Sequence, residues 1–137
     1  MNRTVLWAAA GVLAFCALGC RSTPVPQFGP WVKEIVGSYT GPVTKGTDEV
    51  VMGRTVFTIA PDGALIGEYE LLEKHTDDPG TLHSFDRVDT HTLRCRWRDK
   101  YGAGELQMVF APDRKSFEGL WRYDGQTVRR PWNGLRH

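Results

Sequence analysis

Cysteine is scarce in this chain and badly placed for cross-linking. Three occur in 137 residues; Cys16 and Cys20 fall in or beside the apolar N-terminal run, and only Cys95 lies in the body of the chain. An internal disulfide framework is thereby excluded, and Cys95 is read as either buried and inert or paired with another molecule. Metal-site spacing is missing as well: the body of the chain has no His-x-His, no His-x-x-x-His and no Cys pair. Charge of one sign is lacking, since 17 Lys+Arg face 16 Asp+Glu, so no global field draws the chain to nucleic acid. No nucleotide-binding loop, hydrolase elbow or catalytic dyad is visible. From Ile35 onward no window keeps an amphipathic helical period; a short stretch around Pro30 to Val36 comes nearest.

What is present begins at the N-terminus. Asn2 and Arg3 form a polar, positive start, and Val5 to Leu18 is almost wholly apolar, with Trp7, Leu13 and Phe15. That run is too short to span a bilayer comfortably and small residues follow it, which is the layout of a cleaved secretory signal. Its end, Ala17-Leu18-Gly19-Cys20, resembles the lipobox of bacterial lipoproteins. In that family signal peptidase II cuts before the Cys, and the Cys thiol carries diacylglycerol. Leu usually stands three residues before the Cys; here Ala17 does. An Asp directly after the Cys favours inner-membrane retention in the family, and here that residue is Arg21. The resemblance therefore implies lipidation at Cys20, with palmitate-type chains, and a protein anchored in the bacterial cell envelope at the outer membrane, facing the periplasm. Two acyl chains anchor stably where one does not.

Three segments follow: a signal peptide over 1–19, a lipidated Cys with a flexible tether over 20–33, and a β-barrel domain over 34–137. The tether is clearest from Arg21 to Pro30, where three prolines and a glycine in ten residues prevent helix and sheet. Cleavage removes Arg3, so the 17 Lys+Arg fall to 16, equal to the acidic count. About 118 residues remain, enough for one domain with a modest core.

The body reads as short strands between turns. Val56 to Ala60 is β-branched and aromatic, and Ala60-Pro61-Asp62-Gly63 is a turn in which Pro presets φ and Gly accepts φ > 0. Leu65, Tyr69 and Leu71 then alternate with Ile66, Glu68 and Glu70. Leu93, Cys95 and Trp97 alternate with Arg94, Arg96 and Arg98; Leu106, Met108 and Phe110 with Glu105, Gln107 and Val109; Phe117 and Trp121 with Glu118, Leu120 and Arg122. Period two with one charged face means antiparallel sheet, packed on one side and wet on the other. The wet face argues against a membrane-spanning barrel, which needs an apolar outside.

The chain also echoes itself. Ala60-Pro61-Asp62 and Ala111-Pro112-Asp113 each follow an apolar strand and lead into Gly-x-aromatic strands, Gly67-Glu68-Tyr69 and Gly119-Leu120-Trp121; Gly37-Ser38-Tyr39 has the same shape. A Gly two residues before a large ring leaves room on that face for an aromatic side chain of the neighbouring strand. Repeated hairpins of this kind predict an all-β, antiparallel up-and-down meander of seven or eight strands closing into a small barrel.

At these residues a second resemblance appears. Asp62 to Tyr69 (DGALIGEY) looks like the second hairpin of the avidin family of biotin-binding barrels, and Trp97 to Tyr101 (WRDKY) and Ser116 to Trp121 (SFEGLW) are similar to later strands, in the same order. The resemblance implies a barrel with Tyr69, Trp97 and Phe117 as aromatic wall positions for a ligand. It argues against biotin: the hydroxyl that bonds biotin two residues after the hairpin Tyr is replaced by Leu71, the first-strand polar residue falls near Thr40, and the Asp near the C-terminus has no match.

Three other constellations could carry chemistry. His75, Asp77, Asp78, His83, Asp86, Asp89 and His91 are metal-ligand types without metal-ligand spacing, which reads as a solvated loop around Pro79-Gly80. Cys95 faces either His83, with a three-residue loop, or Ser84, with an Asp89-Thr90 turn; a facing His would activate the thiol. Finally, Glu34 to Leu93 holds four Lys/Arg and eleven Asp/Glu, while Arg94 to His137 holds ten and five. The Arg94/Arg96/Arg98 face could meet an acidic partner or anionic surface, or be paired across strands with Glu68, Glu70, Glu105 and Glu118.

The expected function is non-catalytic, with no cofactor and no metal: an envelope lipoprotein with a structural or interaction role, or else a small-ligand binder with an aromatic-lined barrel mouth. The lipid anchor is checked by replacing Cys20 with Ala and labelling cells with a palmitate analogue. Labelling and membrane fractionation should both be lost, and unchanged labelling would sink the assignment.

Overall fold

The computed structural model describes residues 31–73 and 79–137. Cys20, the segment from Arg21 to Pro30 and the candidates His75, Asp77 and Asp78 lie outside the described residues. The predicted alternation builds eight antiparallel strands: β1 (Gly37–Thr44), β2 (Val50–Ile59), β3 (Leu65–Leu71), β4 (Gly80–Arg87), β5 (Thr92–Asp99), β6 (Gly102–Phe110), β7 (Ser116–Tyr123) and β8 (Arg130–Arg136). Each pairs with the next and β8 pairs with β1, so the meander closes into a barrel without a sheet edge. One helical turn, α1 (Val32–Ile35), precedes β1.

The inward rows match the expected ones. Leu65, Tyr69, Leu93, Cys95, Trp97, Met108, Phe110, Phe117 and Trp121 are all buried. Sequence pattern alone did not single out Trp31, Val32, Ile35, Phe57, Leu82, Phe85 and Trp132, which are buried with them. Trp31 and Val32 belong to the packed unit, which therefore begins before the boundary at 34.

Interior space is shared between rings and glycines. Phe57 lies opposite Gly37 on one side and Gly67 on the other; Trp132 faces Gly119, Phe117 faces Gly134, Tyr69 faces Gly80, and Trp97 faces Gly104. A Cβ on Gly80 would sit 2.1 Å from the Tyr69 ring, and one on Gly104 would sit 1.8 Å from the Arg122 carbonyl oxygen. The two Ala-Pro-Asp turns are built alike. Ala64 N–H bonds the Asp62 carboxylate at 2.9 Å, and Lys115 N–H bonds that of Asp113 at 3.0 Å. The left-handed position is Gly63 (φ 85°) in the first and Arg114 (φ 59°) in the second.

That Arg closes one end of the barrel. Its guanidinium lies 4.8 Å from the Trp31 ring, donates to the Thr90 carbonyl at 2.9 Å, and sits 2.7 Å from His91 Nδ1 and 3.5 Å from the Glu34 carboxylate. The Tyr39 hydroxyl bridges the carbonyls of Ile35 (2.9 Å) and Arg114 (3.1 Å), joining α1 to the turn. Behind this plug Tyr39, Phe57, Phe85, Phe110 and Phe117 pack at centroid distances of 5.4–6.2 Å, mostly edge to face, so this half of the lumen is solid.

Two variants probe this packing. Phe57→Ala should cost about 3–5 kcal/mol, because the glycines beside it cannot refill the space. Gly104→Ala should cost about 3 kcal/mol or more, because the new methyl meets backbone. Urea unfolding measures both, and a loss under about 1 kcal/mol for either would contradict the ring–glycine packing.

Candidate functional site

The opposite end of the barrel is open. A cavity of about 530 Å³ lies there, within the size range of small-molecule sites. Its wall is Tyr69 from β3, Trp97 from β5, Trp121 and Tyr123 from β7, Trp132 from β8, and Val43 and Leu71; the rim adds Lys45, Glu73, Asp99 and Lys100. The rings stand nearly perpendicular to one another: Tyr69 to Trp132 at 4.6 Å and 72°, Trp97 to Trp121 at 5.4 Å and 90°, Trp121 to Tyr123 at 5.0 Å and 73°.

Every indole N–H in this wall is held by the barrel itself. Trp97 Nε1 donates to the Arg122 carbonyl (3.1 Å), Trp121 Nε1 to the Thr44 carbonyl (2.9 Å) and Trp132 Nε1 to Thr55 Oγ1 (3.0 Å). Gly104 makes the first possible by letting the Trp97 indole cross β6 to reach β7. The Tyr69 hydroxyl donates to Asp99 at 2.7 Å. Burial first, and then this bond to a carboxylate, raise the Tyr69 pKa far above its ordinary 10.0, so the phenol stays protonated. Asp99 also accepts the Tyr101 N–H at 2.8 Å. On the rim Lys45 lies 3.1 Å from Glu73 and 3.6 Å from Glu49, and the bond to Glu73 raises its pKa.

Of the expected wall residues, Tyr69 and Trp97 line this cavity. Phe117 does not: it is buried in the solid half, against Tyr39 and Phe110. Leu71 presents an alkyl group to the cavity where the avidin family places a hydroxyl. Thr40 points outward, to a shallow groove on the outer wall. Trp121, Trp132 and Tyr123 complete the mouth; Gly119-Leu120-Trp121 was a visible signal, whereas Trp132 sits among Pro131, Asn133 and Gly134, which do not read as a strand.

Cys95 and His83 are apart. Strand β4 keeps one register from Thr81↔Arg98 to His83↔Arg96 and another from Asp86↔Arg94 onward, with a bulge between them opposite Cys95. Ser84 takes φ 54° there, which turns Phe85 inward and leaves both His83 and Ser84 on the outside. Thr81 to His83 keep the register that leads to Ser84 opposite Cys95, up to the bulge; the register with His83 opposite Cys95 does not occur, and the His83 ring contacts Ser84 Oγ at 2.8 Å instead. Cys95 is 1% exposed, and burial raises its pKa well above 9.0, the reverse of an activated thiol. The other described members of the acidic run are also engaged: Asp86 with Arg94 at 2.8 Å, and Asp89 with the His91 N–H at 2.8 Å, a bond that lowers the Asp89 pKa. No cluster of metal-ligand side chains occurs among the described residues.

The outer Arg row carries carboxylates, though not mainly the expected ones. Arg94 pairs with Asp86 and Arg96 with Asp124, which lowers the Asp124 pKa; Glu105 pairs with Arg122 at 3.5 Å, and Glu70 with Arg54 at 2.8 Å. Arg98 has no ion pair among the described residues.

These buried protons set a pH dependence. Cys95, Tyr39 and Tyr69 all have raised pKa values, chiefly from burial, so the folded chain holds their protons more tightly than the unfolded chain, where they titrate near 9.0 and 10.0. Their contribution to stability is complete below about pH 9 and is lost as the pH climbs past 10. The urea midpoint should fall steadily from pH 8.5 to 11, with Cys95→Ala removing the earliest part of the fall. A flat midpoint would contradict the burial of these groups.

No protein-family model, no curated protein and no solved structure matches this chain.

Proposed function

We propose that this protein is a small-ligand-binding β-barrel, tethered to the bacterial envelope through lipidated Cys20 and non-catalytic. The single observation that carries the reading is the cavity of about 530 Å³ walled by Tyr69, Trp97, Trp121 and Trp132 at the one open end. A purely structural barrel of this size gains most by filling its lumen throughout, as the plugged half does. Here five large rings, with Tyr123 beside those four, line an open space, at a cost in packing that a ligand would offset. Binding rather than catalysis is supported by the same geometry. The best nucleophile candidate, Cys95, is buried and separated from His83, and the Tyr69–Asp99 pair holds its proton.

Ligand-observed NMR with a panel of small apolar fragments tests the reading on the full-length protein in maltoside micelles. Fragments should bind, and Leu71→Trp, which fills the mouth from its rim, should abolish binding while thermal stability holds. Absence of any fragment contact, or binding that Leu71→Trp leaves intact, would overturn it.

A further inference from the structure

The Asp99 carboxylate at the mouth has no ion pair among the described residues, and this selects the charge of the ligand. The three indole donors are already committed to Arg122, Thr44 and Thr55. The Tyr69 hydroxyl gives its proton to Asp99, so it offers only oxygen lone pairs to anything else. Asp99 accepts that proton and the Tyr101 N–H, and among the described residues no Lys or Arg pairs with it. The cations on the rim are occupied: Lys45 lies between Glu73 and Glu49, and Lys100 Nζ sits 5.0 Å from the Tyr101 ring centroid. Among the described residues, what faces an incoming molecule is π surface, the Tyr69 and Tyr123 hydroxyls and one carboxylate, Asp99, outside any ion pair.

We propose that the mouth takes an organic cation with an alkylated ammonium head, held between aromatic faces and the Asp99 carboxylate. This rests on the binding reading above and gives that site its ligand class. Ring faces carry the negative lobes of the aromatic quadrupole and attract a soft, weakly hydrated cation. An alkylated ammonium presents few or no N–H groups, so it needs no matched set of acceptors. A sugar would need a matched set of donors for its several hydroxyl oxygens, and the three indole N–H groups are already committed to the barrel. An anion would meet the carboxylate and the ring faces together.

The charge is isolated by comparing choline with 3,3-dimethylbutan-1-ol, which has the same shape without the charge. Both are titrated into the full-length protein in maltoside micelles while the indole N–H resonances are followed. Choline should bind about tenfold more tightly than the alcohol, the size of an ordinary desolvated cation–π contribution. Asp99→Asn removes the charge and keeps one oxygen for the Tyr69 proton at the expense of the Tyr101 N–H bond; it should narrow the preference for choline over the alcohol, read as a ratio within the variant, to about threefold or less. Equal affinities in the native protein would overturn the cation assignment and leave the binding site standing. So would a preference that Asp99→Asn does not touch. Failure of choline, the alcohol and every apolar fragment alike would overturn both.

Discussion

The lumen of an eight-stranded barrel is too narrow to hold a large ring from every strand at every level. This constraint organises the rest of the structure. Five of the large inward rings, Phe57, Tyr69, Trp97, Phe117 and Trp132, lie across from a glycine on an adjoining strand, and Phe57 has one on both sides. Where rings from several strands meet at one level, with α1 and Arg114 beneath them, the lumen fills. Toward the other end the rings stand against the wall, pinned by their own N–H and O–H groups, and the centre stays empty. Filled and hollow halves follow from one packing rule applied to two sets of side chains.

Inside and outside were legible in the sequence because strand side chains alternate. The rows through Trp97, Met108 and Trp121 were correct on that ground alone. Height along the barrel axis was not legible, because it depends on strand tilt and stagger, which leave no period in the chain. Phe117 shows the difference: its face was right, but it belongs to the plugged half rather than the mouth. The resemblance to avidin-type strands supplied a wall position without supplying a level.

Other elements were hidden for local reasons. A bulge at Ser84 requires a non-glycine residue at positive φ, held there by the need to bury Phe85, so nothing at Ser84 itself announces it. Strand β8 contains Pro131 and Gly134, which ordinarily argue against a strand; here Gly134 makes room for Phe117. The Arg row was visible, yet Arg96 finds its carboxylate at Asp124, just past β7, because neighbours on a closed sheet include residues two strands away. Arg114 occupies a turn position that its counterpart Gly63 fills without strain, and its many contacts at the plug offset that strain.

The two ends of this barrel also differ in their covalent relation to the rest of the chain. The first described residue, Trp31, is packed at the plugged end, so the chain enters the fold there. With a lipid at Cys20, the molecule would hang by its sealed base, like a cup fixed by its foot. Tension along the tether would then load α1 and its Arg114 clasp before it reached the strands that shape the cup.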